Sequence, residues 1–430
     1  MNMTRLLGIL LVSAFVLSAC AVGSGNPEVV QHTDTPESEG ESPASPSPES
    51  QDDQAGEEES AAEESTEKES AAECEDPFEG TPNFNPGYWD ETNFCKHSVD
   101  YSSIISGGPP PDGIPPIDNP TFEDIQSADE WLEDIEPVIS FEVNGDARAY
   151  PLQIMTWHEI VNDTVGGEPV VVTFCPLCNT ALAFARPEID GEVLTFGTSG
   201  NLRNSDLVMY DRQTESWWQQ FSGEAIVGDL TGTQLQFLPA SIKSWEDFQE
   251  NHPDGQVLSI ETGFNRDYGR NPYVGYDDIN SSPFLFRGEV DDQLPPMARV
   301  VGILKEEGDS RSYPLARVQE ERVINDRLGE EPIVVFWKSG TASALDTRSI
   351  PEGDNIGSTG VFRARIGEQQ LTFAPQGDGQ FQDQETGSTW NIFGEAVEGD
   401  LAGEALEPIP HHDTFWFVWS TFQGADDLEQ

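Results

Sequence analysis

The chain repeats itself, and a repeat is the strongest constraint on what it can fold into. Ala149-Tyr150-Pro151-Leu152 returns as Ser312-Tyr313-Pro314-Leu315. Val161-Asn162-Asp163 returns as Ile324-Asn325-Asp326, and Glu168-Pro169-Val170-Val171-Val172 as Glu331-Pro332-Ile333-Val334-Val335. Leu194-Thr195-Phe196 matches Leu371-Thr372-Phe373. Later, Thr214, Ser216, Trp218, Gly223 and Gly228 find Thr386, Ser388, Trp390, Gly394 and Gly399, and Trp245 finds Trp416. The offset grows from 163 (314 minus 151) to 171 (416 minus 245), as loop insertions within a common fold would make it.

Each copy reads as short strands with few helices. Val138 to Val143, Arg148 to Leu152, Val170 to Phe174, Leu182 to Ala185, Val193 to Phe196 and Leu207 to Tyr210 are apolar or alternating runs between turn signals. Asn144-Gly145 between two such runs predicts a hairpin. Ile154, Trp157 and Val161 share one face of a helix over 153–161, and a second short helix is expected over 246–251. The expected fold is α+β and β-rich. Two tandem pseudo-repeated lobes, 138–261 and 299–422, would flank a connector at 262–298, with an acidic tail at 423–430. The Gly/Pro-rich stretch within 74–137 reads as an extended arm. Tyr268, Tyr273 and Tyr276 of the connector are expected to pack between the lobes.

Residues 1–19 read as a secretory signal. Arg5 is followed by an apolar run from Leu6 to Leu17, too short to span a bilayer stably. Leu17-Ser18-Ala19-Cys20 resembles a bacterial lipobox, which implies cleavage before Cys20 and its lipidation. The expected location is extracytoplasmic, anchored to the membrane by lipid. Residues 20–73 read as a disordered tether: 16 acidic residues stand against Lys68 alone, with no apolar periodicity.

The whole chain carries 79 acidic and 21 basic residues, a net charge of −58. That excludes a nucleic-acid binder working by phosphate neutralisation, and a basic patch docked on anionic lipid. Such a surface fits a high-salt habitat and fits equally an acidic surface with no such meaning. No phosphate loop or dinucleotide fingerprint occurs, so no nucleotide cofactor is expected. Gly197-Thr198-Ser199-Gly200 is not a nucleophile elbow.

Five cysteines are too few for a disulfide framework. Outside the cytoplasm Cys74 and Cys95 are expected to close a loop as a disulfide. The sharper feature is Phe174-Cys175-Pro176-Leu177-Cys178-Asn179, just past an apolar strand. Two thiols so spaced can chelate zinc or copper, or close a redox disulfide. His158, on the helix before that strand, is the expected third ligand. The second copy replaces all three together, with Glu321, Lys338 and Thr341, and an ion pair of Glu321 with Lys338 would keep its shape. Met155, Met209 and Asp211 read as core or turn before ligand, and His411-His412 as an exposed loop pair.

Trp157-His158-Glu159-Ile160-Val161-Asn162-Asp163, the Cys175–Cys178 segment and Tyr210-Asp211-Arg212-Gln213-Thr214-Glu215-Ser216-Trp217-Trp218 resemble the DUF3179 family. So do residues 107–120 and Arg266-Asp267-Tyr268-Gly269-Arg270-Asn271-Pro272-Tyr273. The resemblance covers about 90–422 and implies membership, but no activity, since the family has none assigned. Three functions therefore stand open from the residues: a metal site of His158, Cys175 and Cys178; a noncatalytic scaffold binding a partner through aromatic surfaces including Trp217 and Trp218; and thiol chemistry, either a Cys175–Cys178 redox pair or a Cys175 nucleophile with His158 as base.

Overall fold

The structure, a computed structural model, describes residues 74, 77, 78, 80–304, 309–377 and 379–429. The signal, Cys20 and the tether lie outside the described residues. The described residues belong to one compact unit, and the fold is β-rich.

In residues 137–251 the chain forms β1 (Pro137–Val143), β2 (Asp146–Pro151), helix α1 (Leu152–His158), β3 (Ile160–Val165), β4 (Glu168–Cys175), β5 (Thr180–Ala185), β6 (Phe196–Arg203), β7 (Asp206–Asp211), β8 (Trp217–Gln219), β9 (Ala225–Val227), β10 (Ala240–Ser244) and α2 (Trp245–Asn251). The expected Asn144-Gly145 hairpin joins β1 to β2, both turn residues at positive φ. Helix α1 stops three residues before the periodicity does. Glu159 takes the left-handed conformation, φ 61°, and the chain reverses into β3.

The same element order recurs in residues 299–422: β11 (Arg299–Leu304), β12 (Ser310–Pro314), α3 (Leu315–Glu321), β13 (Val323–Leu328), β14 (Glu331–Lys338), β15 (Ser358–Arg363), β16 (Phe373–Gln376), β17 (Gln380–Asp383), β18 (Thr389–Trp390), β19 (Ala396–Glu398), β20 (His411–Phe415) and α4 (Trp416–Phe422). The strand orders β10-β1-β2, β3-β4-β5 and β6-β7-β8-β9 are matched by β20-β11-β12, β13-β14-β15 and β16-β17-β18-β19. The earlier half carries extra edge strands, among them Ile104–Ser106 beside β6 and Phe122–Asp124 at the far edge from β10. Residues 74–137 are therefore an arm that contributes short strands, not one extended segment.

Local hydrogen bonds repeat with the strands. Asp211 accepts from Thr214 N and Trp218 Nε1, at 2.7 and 2.9 Å. Asp383 accepts from Thr386 N and Trp390 Nε1, at 2.6 and 3.0 Å. Asn162 pairs with both backbone groups of Phe196, at 2.8 and 2.9 Å, and Asn325 does the same with Phe373, at 2.9 and 2.8 Å. Gly228 and Gly399, φ 103° and 100°, lie so close to the Cα of Ser216 and Ser388 that a Cβ would sit within 2.7 and 2.6 Å of it.

The halves share their core. One apolar cluster joins Cys175, Cys178, Leu207, Met209 and Trp218 to Phe415, Trp416, Phe417, Val418 and Trp419. Two expectations fall here. His411 and His412 are not exposed loop residues: they lie buried on β20, because that strand crosses between the halves. Trp217 and Trp218 offer no binding surface, since both side chains are fully buried.

The paired asparagines give a stability prediction. Asn162 is 3% exposed, whereas Asn325 is exposed. Asn162→Ala is expected to cost roughly 1–3 kcal/mol, because the Phe196 groups lose partners away from water. Asn325→Ala is expected to cost less than half as much, since water replaces the side chain. Urea denaturation of the two variants measures both.

Candidate functional site

The dithiol sits where two buried strands turn. β4 ends at Cys175, Pro176-Leu177 make the bend, and Cys178 N donates to Cys175 O at 3.1 Å. No helix begins at Cys175, so no helix dipole acts on its thiol. The sulfurs lie 2.9 Å apart as free thiols, both buried.

Their third neighbour is Asp206. The β6–β7 hairpin turns through Asn204 and Ser205, both at positive φ, and delivers Asp206 as the first residue of β7. Cys178 Sγ donates to Asp206 Oδ1 at 3.1 Å. Asp206 Oδ2 accepts from Phe221 N at 3.0 Å and from Gln219 Nε2. Sγ of Cys175, Sγ of Cys178 and a carboxylate oxygen of Asp206 lie within 4.8 Å of one another.

Glu159 stands on the open side of this cluster. Its carboxyl meets the Tyr273 hydroxyl and feels the charge of Asp206. Burial pushes Glu159 up to about 8 and Asp206 up to about 6. The same desolvation raises Cys175, and raises Cys178 well above an ordinary thiol. Four acidic groups thus share one dry site. The guanidinium of Arg203 acts on Asp206 from behind Gln219, whose Oε1 takes Arg203 Nη1 at 3.2 Å.

His158 is not a member, which corrects the expected His158, Cys175 and Cys178 triad. Its ring is fully buried, but both nitrogens are already engaged. Nδ1 is 2.7 Å from Pro115 O and Nε2 is 2.6 Å from the Tyr268 hydroxyl. With Nδ1 donating to the carbonyl, Nε2 accepts from the phenol, so the ring is neutral; burial lowers its pKa accordingly. His158 clamps the arm to the connector. Helix α1 ends at His158, and it is the next residue, Glu159, whose charge acts on Cys175.

The second half does not hold the expected ion pair. Glu321 pairs with Arg317 at 2.8 Å, and Lys338 pairs with Asp247 of α2. Thr341 Oγ1 is 2.6 Å from Ser358 Oγ. Met155 and Met209 are core, and Asp211 is occupied by Thr214 and Trp218. Cys74 and Cys95 are joined by a disulfide, Sγ–Sγ 2.07 Å.

Asp206 and Glu159 were the residues missed. A signal existed for the first: Asn204-Ser205 is a tight-turn pair, and Asp206 then opens an apolar strand, where a carboxylate needs partners.

This is a β-rich α+β protein built around a buried dithiol–carboxylate cluster. The chain belongs to the family described as "Protein of unknown function (DUF3179)", which matches residues 111–426. No curated protein and no solved structure matches it.

The cluster predicts a pH dependence. Glu159 and Asp206 hold their protons to about 8 and about 6 when folded, against ordinary values of 4.5 and 3.8. The folded state therefore binds more protons than the unfolded one between roughly pH 4 and 8. Their contribution to stability falls as pH rises through that window, by up to about 1.4 kcal/mol per pH unit for each group. Glu159→Gln and Asp206→Asn should flatten the slope. Denaturant melts of metal-free protein at pH 5, 6.5 and 8, compared with each variant, measure it.

Proposed function

We propose that this chain is a lipid-anchored extracytoplasmic protein that holds one transition-metal ion, zinc or copper, on Cys175, Cys178 and Asp206. The observation that carries the reading is the convergence of these three buried donors within 4.8 Å. Buried acidic groups are stable when protonated or when they hold a cation. A divalent ion displacing the protons of this site would relieve the desolvation that raises all of them. Thiolates suit zinc and copper, and three protein ligands leave a fourth position open. Two sulfurs bonded to one zinc at about 2.3 Å stand roughly 3.8 Å apart, so binding would spread the pair by about 1 Å.

The 2.9 Å sulfur approach gives a second reading, a reversible Cys175–Cys178 disulfide. The raised thiol pKa values weigh against it, since exchange needs an accessible thiolate. A Cys175 nucleophile served by a His158 base has less support still, since both His158 nitrogens are engaged elsewhere.

The two halves are read as a duplicated unit in which the earlier copy keeps the site. Anchoring rests on the lipobox-like Leu17-Ser18-Ala19-Cys20.

Metal analysis of the purified, reduced protein tests the site. About one equivalent of zinc or copper is expected, lost in Cys175→Ser and in Asp206→Asn and retained in His158→Ala. Fewer than about a tenth of an equivalent in the parent protein, or loss in His158→Ala as complete as in Cys175→Ser, would overturn the ligand set. Independently, Cys20→Ser should abolish incorporation of labelled fatty acid and shift the protein from the detergent to the aqueous phase.

A further inference from the structure

A cavity of about 370 Å³ opens beside the cluster, between the Pro-rich arm and the connector. Its walls are largely apolar: Pro109 and Ile114 come from the arm, Leu202 and Leu207 from the β6–β7 hairpin, and Tyr276 and Phe284 from the connector. The size is that of a small-molecule site, and the wall composition fits one.

Of the polar side chains in the walls, Thr198 and Tyr276 already donate to Ile114 O and Leu177 O, and Tyr273 is engaged with Glu159; two others bear on a ligand. Glu159 is the first. Burial keeps it protonated at neutral pH, and Tyr273 supplies a hydrogen bond to its carboxyl, so its own proton is available to a ligand. Asn201 is the second. It is 5% exposed, and its Nδ2 has no hydrogen-bond partner among the described residues. A buried amide donor left unpaired costs about 1–3 kcal/mol. Such a cost at a cavity wall is offset when a ligand brings an acceptor.

The walls made by the arm and the connector do not belong to the repeated framework. The arm and connector precede and follow the earlier half only, and Arg322, which stands where Glu159 does, is exposed. The left-handed backbone at this position is common to both halves, φ 61° and 63°, so it is a property of the fold and not a sign of the ligand.

We propose that this cavity binds a small, uncharged, mainly apolar molecule carrying one hydrogen-bond-accepting oxygen of the carbonyl type, held by Asn201 and Glu159. The chemistry selects against anions, because the walls are largely apolar and no lysine, arginine or histidine is among the residues that line them. It selects against a cation less strongly, so charge is the variable to test. The proposal does not require a metal at the neighbouring cluster.

Three ring-matched probes decide it: cyclohexanone, cyclohexanecarboxylate and cyclohexylammonium, titrated into the full chain at pH 7 and followed by saturation-transfer NMR. Cyclohexanone is expected to bind with a dissociation constant on the order of millimolar, as its few heavy atoms allow. The carboxylate should show no saturable binding, and the ammonium should bind at least several-fold more weakly than the ketone. Asn201→Leu should weaken the ketone about tenfold, the loss of one hydrogen bond. Leu202→Trp, at a partly exposed wall position, should fill the chamber and abolish binding while near-ultraviolet circular dichroism stays that of the parent. No binding of the ketone, equal binding of all three probes, ammonium binding tighter than ketone, or ketone binding unaffected by Leu202→Trp would each overturn the proposal. Metal content is measured on the same samples, so a failed chamber and a failed metal site are distinguishable.

Discussion

Strand β20 lies across the cysteine turn, and the rest of the site depends on that crossing. Cys178 O accepts from Phe415 N at 3.2 Å and from Thr414 Oγ1 at 3.0 Å, while Asn179 Nδ2 donates to Asp413 O at 3.2 Å. Helix α4 then stacks Trp416, Phe417, Val418 and Trp419 into the core that contains both thiols. The reciprocal contact runs the other way. Lys243 of β10 donates to Thr359 O of β15, and Asp247 of α2 holds Lys338. Each half thus closes the other. A turn whose carbonyls are taken by a strand more than two hundred residues later holds its sulfurs in one arrangement only when the whole body is folded.

The crossing also explains the electrostatics. Apolar aromatic groups exclude water from Cys175, Cys178 and Asp206, and desolvation is then the largest influence on each. Asp206 remains affordable because three donors reach it: Cys178 Sγ, Phe221 N and Gln219 Nε2. Hydrogen bonds of this kind lower its pKa against the rise from burial, so it settles below Glu159, which has Tyr273 alone as a lowering partner.

Much of the framework was legible in the sequence because the repeat marks it. Asn162, Asp211 and Trp218 recur as Asn325, Asp383 and Trp390, and each pair makes the same hydrogen bonds. The pair of thiols was legible from spacing. The third donor was not, for two physical reasons. Asp206 arrives from a hairpin 28 residues beyond Cys178, and nothing in local periodicity reports which strands a hairpin will face. The helix before the thiols is only seven residues long and ends in a left-handed residue, so a shift of one position changes which side chain faces the cluster. His158 and Glu159 are adjacent in sequence and serve different structures.

The joint absence of His158, Cys175 and Cys178 from the second half has a fuller explanation once their places are known. They are not one ligand set but two devices around one space. Cys175 and Cys178, with Asp206, form the cluster beneath the cavity wall. His158 ties Pro115 of the arm to Tyr268 of the connector, and those two segments make the opposite walls. The second half has neither segment to tie. Position 321 is exposed, and Glu321 there pairs with Arg317 at the surface. The three replaced residues therefore belong to two devices, and each half's version follows from what its own neighbours supply.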